Sequence, residues 1–178
     1  MISTKKNNAV VLAIIIACSA TLASSITLVK DHERANTFSL TESLKKKVTV
    51  DTKGMSEECI MQYSLDITAQ NLRFTRFNNL KKGQANCVGY AKFCSSICNE
   101  GFKNNRIKYR AHTAVGFIKI GDINICNVLK SAMHNPEYRN FVKDHDFVEV
   151  TTDKWIYQFD PCLYDIIGIS CMSKQARK

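Results

Sequence analysis

Two short runs, His145-Asp146-Phe147-Val148-Glu149-Val150 and Trp155-Ile156-Tyr157-Gln158-Phe159-Asp160, stand either side of Thr151-Thr152-Asp153-Lys154. Apolar, aromatic and β-branched residues around a short polar connection predict an antiparallel hairpin. A turn centred between Asp153 and Lys154 sets Val150 opposite Tyr157, Phe147 opposite Asp160 and His145 opposite Cys162. Side chains alternate along a strand, so His145, Phe147 and Asp160 fall on one face, with Asp160 diagonal to His145. Diagonal neighbours lie about 7–8 Å apart, within reach of an imidazole and a carboxylate. A slip of one residue would send them to opposite faces. On this register Asp144 and Asp146 point away from His145.

The rest of the chain reads as helices first and strands later. Ser56, followed by Glu57 and Glu58, caps a helix running toward Leu72. Lys81-Lys82-Gly83 ends a polar loop, and a second helix opens near Cys87 and runs to about Cys98, with Gly101 expected just beyond its end. Cys87, Ala91, Cys94 and Cys98 share its buried face. Tyr109 to Ile120 is expected as a strand ended by Gly121-Asp122. Ile125 to Val142 is expected as a helix broken near Pro136. The apolar stretch from Leu163 to Cys171 packs back on the body. This order predicts an α+β fold with an antiparallel sheet rather than a doubly wound one.

Lys5-Lys6 precede an uncharged run from Ala9 to Val29, closed by Lys30-Asp31-His32-Glu33-Arg34. About 20 uncharged residues suffice to cross a bilayer, with the positive flank on the cytoplasmic side. Ser19, Thr21, Ser24, Ser25 and Thr27 dilute the second half, as in a cleaved secretory signal. Ile15-Ile16-Ala17-Cys18 offers a third form, a lipoprotein attached through Cys18. Each form puts the remainder outside the cytoplasm. The expected organisation is a signal or membrane anchor over 1–30, a polar tether over 31–55 and one folded domain over 56–178.

Eight cysteines are present, and Cys18 leaves seven: Cys59, Cys87, Cys94, Cys98, Cys126, Cys162 and Cys171. Outside the cytoplasm an odd number leaves at least one thiol free or paired between chains. The other six suit either disulfides or small buried hydrophobes. Cys94 and Cys98 are four apart, without a histidine at ligand spacing, so no metal or cofactor is expected. The net charge of +9 is spread over lysines and arginines with no nucleic-acid motif beside it, so a nucleic-acid partner is not expected.

One constellation carries chemistry. A cysteine in the first turn of a helix sits in the field of unsatisfied N–H groups, which favours thiolate over thiol. Cys87, in Gly83-Gln84-Ala85-Asn86-Cys87-Val88-Gly89-Tyr90-Ala91, is placed for that role. His145 supplies a base, and Asp160 can fix its tautomer and stabilise its charged form. Pro161 keeps Asp160 extended. Gln84 is a candidate amide donor to a developing oxyanion, or simply a loop residue. His112 is read as structural, His32 and His134 have no supporting context, and Trp155 is read as core or turn-flanking.

Gly83-x-x-x-Cys87-x-x-Tyr90-Ala91, His145-Asp146-Phe147-Val148-Glu149-Val150 and Trp155-x-x-x-x-Asp160-Pro161 together resemble the transglutaminase-like branch of the papain-like superfamily. The resemblance covers roughly residues 56–165. The family commonly has an aromatic soon after the cysteine and a tryptophan two residues after the histidine, where this chain has Val88-Gly89-Tyr90 and Phe147. The stretch from Ile107 to Lys143 also exceeds a minimal family core. The resemblance implies a papain-like core with Cys87 as nucleophile, His145 as base and Asp160 as orienting acid. It implies acyl transfer on amide bonds of a peptide or protein substrate. Water as acceptor gives a peptidase or amidase, the favoured outcome for a small single domain, and an amine gives a transglutaminase. A membrane-held peptide-binding module without turnover is the alternative from another class.

Overall fold

The computed structural model describes residues 26–132 and 144–177. The chain enters as strand β1 (Ile26–Arg34) and continues through helices α1 (Glu42–Asp51) and α2 (Glu57–Asn71). Two short strands, β2 (Arg73–Phe74) and β3 (Gln84–Ala85), flank a 3-10 turn at Leu80–Lys82 and lead into the long helix α3 (Cys87–Asn104). Strands β4 (Ala111–Ile120) and β5 (Ile123–Asn124) precede helix α4 (Ile125–Ala132). The hairpin β6 (His145–Thr151) and β7 (Trp155–Phe159), helix α5 (Pro161–Ile167) and strand β8 (Ser173–Ala176) complete it. The architecture is α+β: a curled antiparallel sheet in the order β1-β4-β6-β7-β8, with β5 paired to β4, and five helices among the described residues.

Helix α3 packs across the sheet. Its Ala91, Cys94, Cys98 and Phe102 meet Ile60, Met61 and Leu65 of α2 and Val148, Val150, Tyr157 and Phe159 of the hairpin. Tyr90, Phe93 and Ile97 pack instead with Leu40, Val48, Ile67 and Leu72. Phe147, one step from Val148 and so on the other face of β6, joins Ile26, Leu28, Ala114 and Cys171.

The hairpin keeps the expected register: Val150 pairs with Tyr157 and Val148 with Phe159. Pairing stops at Phe159, because Pro161 starts α5, and Cys162 lies in that helix rather than opposite His145. The Ser56 cap is present, with its hydroxyl accepting from Cys59 N–H. Helix α3 runs past its expected end to Asn104, with Gly101 inside it. A β-carbon at Gly101 would lie 2.7 Å from Cγ2 of Ile60, so that glycine serves the contact between α2 and α3.

The expected boundary near residue 30 is also corrected. Ile26–Val29 pair with Phe117–Ile120 as part of β1, so they cannot belong to a membrane span. Residues 31–55, expected as a tether, carry the end of β1 and all of α1. Helix α1 is capped by Thr41 and laced by Lys45–Glu42 and Lys47–Asp51 ion pairs, and it buries Val48 completely. Residues 9–25 of the proposed anchor, with Cys18, and the expected helix beyond Ala132 lie outside the described residues. No helix among the described residues is long and apolar enough to cross a membrane.

Candidate active site

Asn86 is the N-cap of α3, and its side-chain oxygen accepts the N–H groups of Val88 and Gly89 at 3.1 and 3.4 Å. The loop before it grips the cap in return. Asn78 Oδ1 accepts from Asn86 N–H at 2.9 Å, and Asn86 Nδ2 donates to the Arg76 carbonyl at 3.3 Å. Cys87 is therefore the first helical residue, half-buried, on a turn fixed from both sides. A β-carbon at Gly89 would lie 2.3 Å from Asn78 Oδ1 and 2.6 Å from Ala85 Cβ. The glycine gives the Asn78 carboxamide room to hold the helix entrance.

His145 begins β6 and faces Gly116 across the ladder with β4. Its Nε2 lies 2.5 Å from Asp160 Oδ2, and the Asp160 carboxylate is fully buried. Asp160 is extended (φ −117°, ψ 102°), the N-cap of α5, and its Oδ1 accepts from Cys162 and Leu163 N–H at 2.9 and 3.0 Å. Burial disfavours a charged imidazole at His145. The Asp160 charge and hydrogen bond, with a further contribution from Cys87, overcome it and hold the histidine well above its ordinary range. The Cys87 side chain is thus a neighbour of the imidazole whose Nε2 meets Asp160. The structure brings Cys87, His145 and Asp160 together as one cluster.

Gln84 is not drawn into that cluster: it sits exposed on β3, its backbone tied to Asn79. His112 lies on β4 with Nδ1 3.5 Å from Glu33 Oε2, and His32 pairs with Asp31. His134 lies outside the described residues. Trp155 packs against the main core with Lys174 Nζ 4.7 Å from its ring centroid. Cys59 is exposed, and Cys94, Cys98, Cys126, Cys162 and Cys171 are buried free thiols. Burial pushes the Cys94 and Cys171 thiols up to about 12 and raises those of Cys98 and Cys162 as well. Among the described residues Cys87 differs from these in being reachable and beside a charged imidazole.

Arg34 is the neighbour that the sequence did not reveal. Its Nε and Nη2 donate to Asp146 at 2.7 and 3.3 Å, and Asp146 is completely buried. Burial raises the Asp146 carboxyl while the guanidinium opposes that rise. Arg34 is itself held charged by Asp146 first, then by Asp144 and Cys87. A guanidinium from β1 therefore lies in the neighbourhood of the cysteine, on a strand expected from the sequence as part of an anchor and tether. Only the basic closing stretch Lys30 to Arg34 hinted at it.

Comparison of the chain with protein-family models, with characterised proteins and with solved structures finds no match.

Proposed function

We propose that this protein is a cysteine acyl-transfer enzyme of transglutaminase-like, papain-like type acting on amide bonds of a peptide or protein. The reading is supported above all by His145 bonded at 2.5 Å to buried Asp160, with Cys87 next to the same ring at the first position of a helix. Cys87 Sγ attacks the amide carbonyl carbon, and the S–C bond forms as the C–N bond breaks. The imidazolium of His145 gives its proton to the departing amine. Water then attacks the thioester carbonyl carbon and gives a proton to His145, and the C–S bond breaks to release the acid and restore the Cys87 thiolate. Hydrolysis remains the favoured outcome, and an amine in place of water would give cross-linking. In this reading Asp160 orients the ring and stabilises its charge, and Arg34 adds positive charge to the cysteine's surroundings. We further propose that the domain works outside the cytoplasm, following an anchor, lipid attachment or cleaved signal that ends before Ile26.

The test is competitive alkylation at pH about 6, where an ordinary thiol is almost wholly protonated and slow. Cys59 is the internal standard, being exposed. Cys87 should be modified well ahead of Cys59, and His145→Ala should bring the two rates together. A Cys87 slower than Cys59 in the folded wild type would remove the nucleophile and the proposal with it.

A further inference from the structure

We propose that the substrate is a peptide segment with apolar side chains flanked by acidic ones, held in a groove that opens beside Cys87 under a lysine rim. The inference rests on the acyl-transfer reading of that site and specifies its substrate.

A cavity of about 310 Å³ includes Val88 and Gly89, the two residues that follow Cys87, with Asn78, Leu80, Phe38 and Lys92. A second, of about 600 Å³, extends from Phe38 and Leu80 to Leu44, Leu72 and Phe93, edged by Lys47 and Lys81. Phe38 and Leu80 line both, so the two adjoin there as one trough, which reaches the first turn of α3 at Val88 and Gly89 while Cys87 itself lines neither cavity. Both volumes lie in the range of about 300–1,000 Å³ typical of pockets that enclose small ligands. Its floor is apolar and fixed: Phe38 and Phe93 pack with ring centroids 5.5 Å apart, and Leu80 rests on the core from the short 3-10 turn.

The charge on this trough is one-sided. Lys47, Lys81 and Lys92 line it, and no aspartate or glutamate does. Lys47 is paired with Asp51 at 2.6 Å. Lys81 and Lys92 have no ion-pair partner among the described residues. An extended peptide turns alternate side chains to opposite sides, so apolar residues would enter the trough while their neighbours meet the lysines. Acidic neighbours complement that rim, and basic ones are repelled. The groove is built by α1, the loop before it, the end of α2, the loop before α3 and the first turns of α3 itself, the helix that carries Cys87.

The experiment uses the Cys87→Ala protein, so binding is read without turnover, by fluorescence anisotropy. The probe is a short labelled peptide alternating Glu and Leu. It is compared with one in which Lys replaces Glu and one in which Ser replaces Leu. The Glu/Leu peptide should bind about tenfold more tightly than either, and weaken as salt rises from about 0.05 to about 0.5 M. Lys81→Glu with Lys92→Glu, the first exposed and the second half-buried, should weaken it about tenfold and reverse the preference toward the Lys/Leu peptide. Circular dichroism checks that the variant is folded. Equal binding of all three peptides, or indifference to the lysine reversal, would overturn the proposal. Alkylation of Cys87 by a small electrophile does not need the groove, so a reactive Cys87 with no peptide preference sinks only the groove. Peptide binding with an unreactive Cys87 sinks only the chemistry.

Discussion

Asp160 divides its carboxylate between His145 and the first turn of α5: Oδ2 meets the imidazole, and Oδ1 takes the N–H groups of Cys162 and Leu163. The acid that orients the histidine is thus aimed by a helix start rather than by strand pairing. Its two roles separate under mutation.

Asp160→Asn keeps an oxygen for the cap and loses the charge beside His145. Losing that charge-assisted hydrogen bond should cost about 1.5–3 kcal/mol of stability. Asp160→Ala should cost roughly 1 kcal/mol more, because the cap goes too. Urea unfolding of the two variants measures the difference. Both should slow Cys87 alkylation at mildly acidic pH.

The histidine makes the fold pH-dependent in a stated direction. The folded state holds His145 well above its ordinary 6.5, so it binds this proton more tightly than the unfolded chain does. Its stabilising contribution is complete below about pH 6.5 and fades as pH rises through the raised folded-state value. The urea midpoint of wild type over His145→Gln should therefore be widest in mild acid and narrow in alkali. A gap that widened with pH would contradict a charged imidazole in this pair.

Gly89→Ala should push the Asn78 carboxamide off Asn86 N–H. Crowding of this kind costs about 1–3 kcal/mol, and the cysteine's reactivity should fall with it. Asn78→Gly in the same chain should recover part of the stability but not the reactivity. It removes one of the two obstructing groups, leaves Ala85 Cβ in place and gives up the bond to Asn86 N–H. The coupling between the two changes is read from a double-mutant cycle.

Gly116 faces the β1 backbone directly: a β-carbon there would be 1.8 Å from the Val29 carbonyl oxygen. Its other partner is His145. Gly116→Ala should therefore destabilise the fold more than Gly121→Ala, since Gly121 has no heavy atom within 4 Å of its β-carbon position and suffers only from its positive φ of 58°. A chain starting at Ala35, without β1, should lose the burial of Ile26 and Leu28, worth about 1.5–3 kcal/mol for each fully buried side chain. It should aggregate through the uncovered edge of β4. A chain starting at Ile26 should fold, and thermal melting distinguishes the two.

The parts of this arrangement that depend on local rules could be read from residues. An even turn set the partners of Val150, and Ser56 before Glu57 and Glu58 marked a helix start. The register put Asp160 on the face of His145, but what aims its carboxylate is the start of α5 at Pro161, beyond the last strand pair. What sequence reasoning missed depends on distant partners. Ile26 to Arg34 resembles the tail of an apolar lead-in until β4 is there to pair with it. Helix α1 is polar along most of its surface and shows its single fully buried residue, Val48, only against α3. Gly101 resembles a helix end because the Ile60 side chain that requires it comes from another helix. Arg34 could not be placed near Cys87 without knowing that β1 and β6 both flank β4.

That flanking has a mechanical meaning. Tension on the chain ahead of Ile26 would load β1 from one end, peeling Ile26 from Ile120, then Thr27 from Lys119, Leu28 from Ile118 and Val29 from Phe117. Loaded from that end, these contacts would part in series before the strain reached Lys30 and Gly116, the residue that backs His145. Arg34, paired with Thr113 at the far end, is the last to feel it. The first half of the strand is a fuse, and the cluster around Cys87 lies behind it.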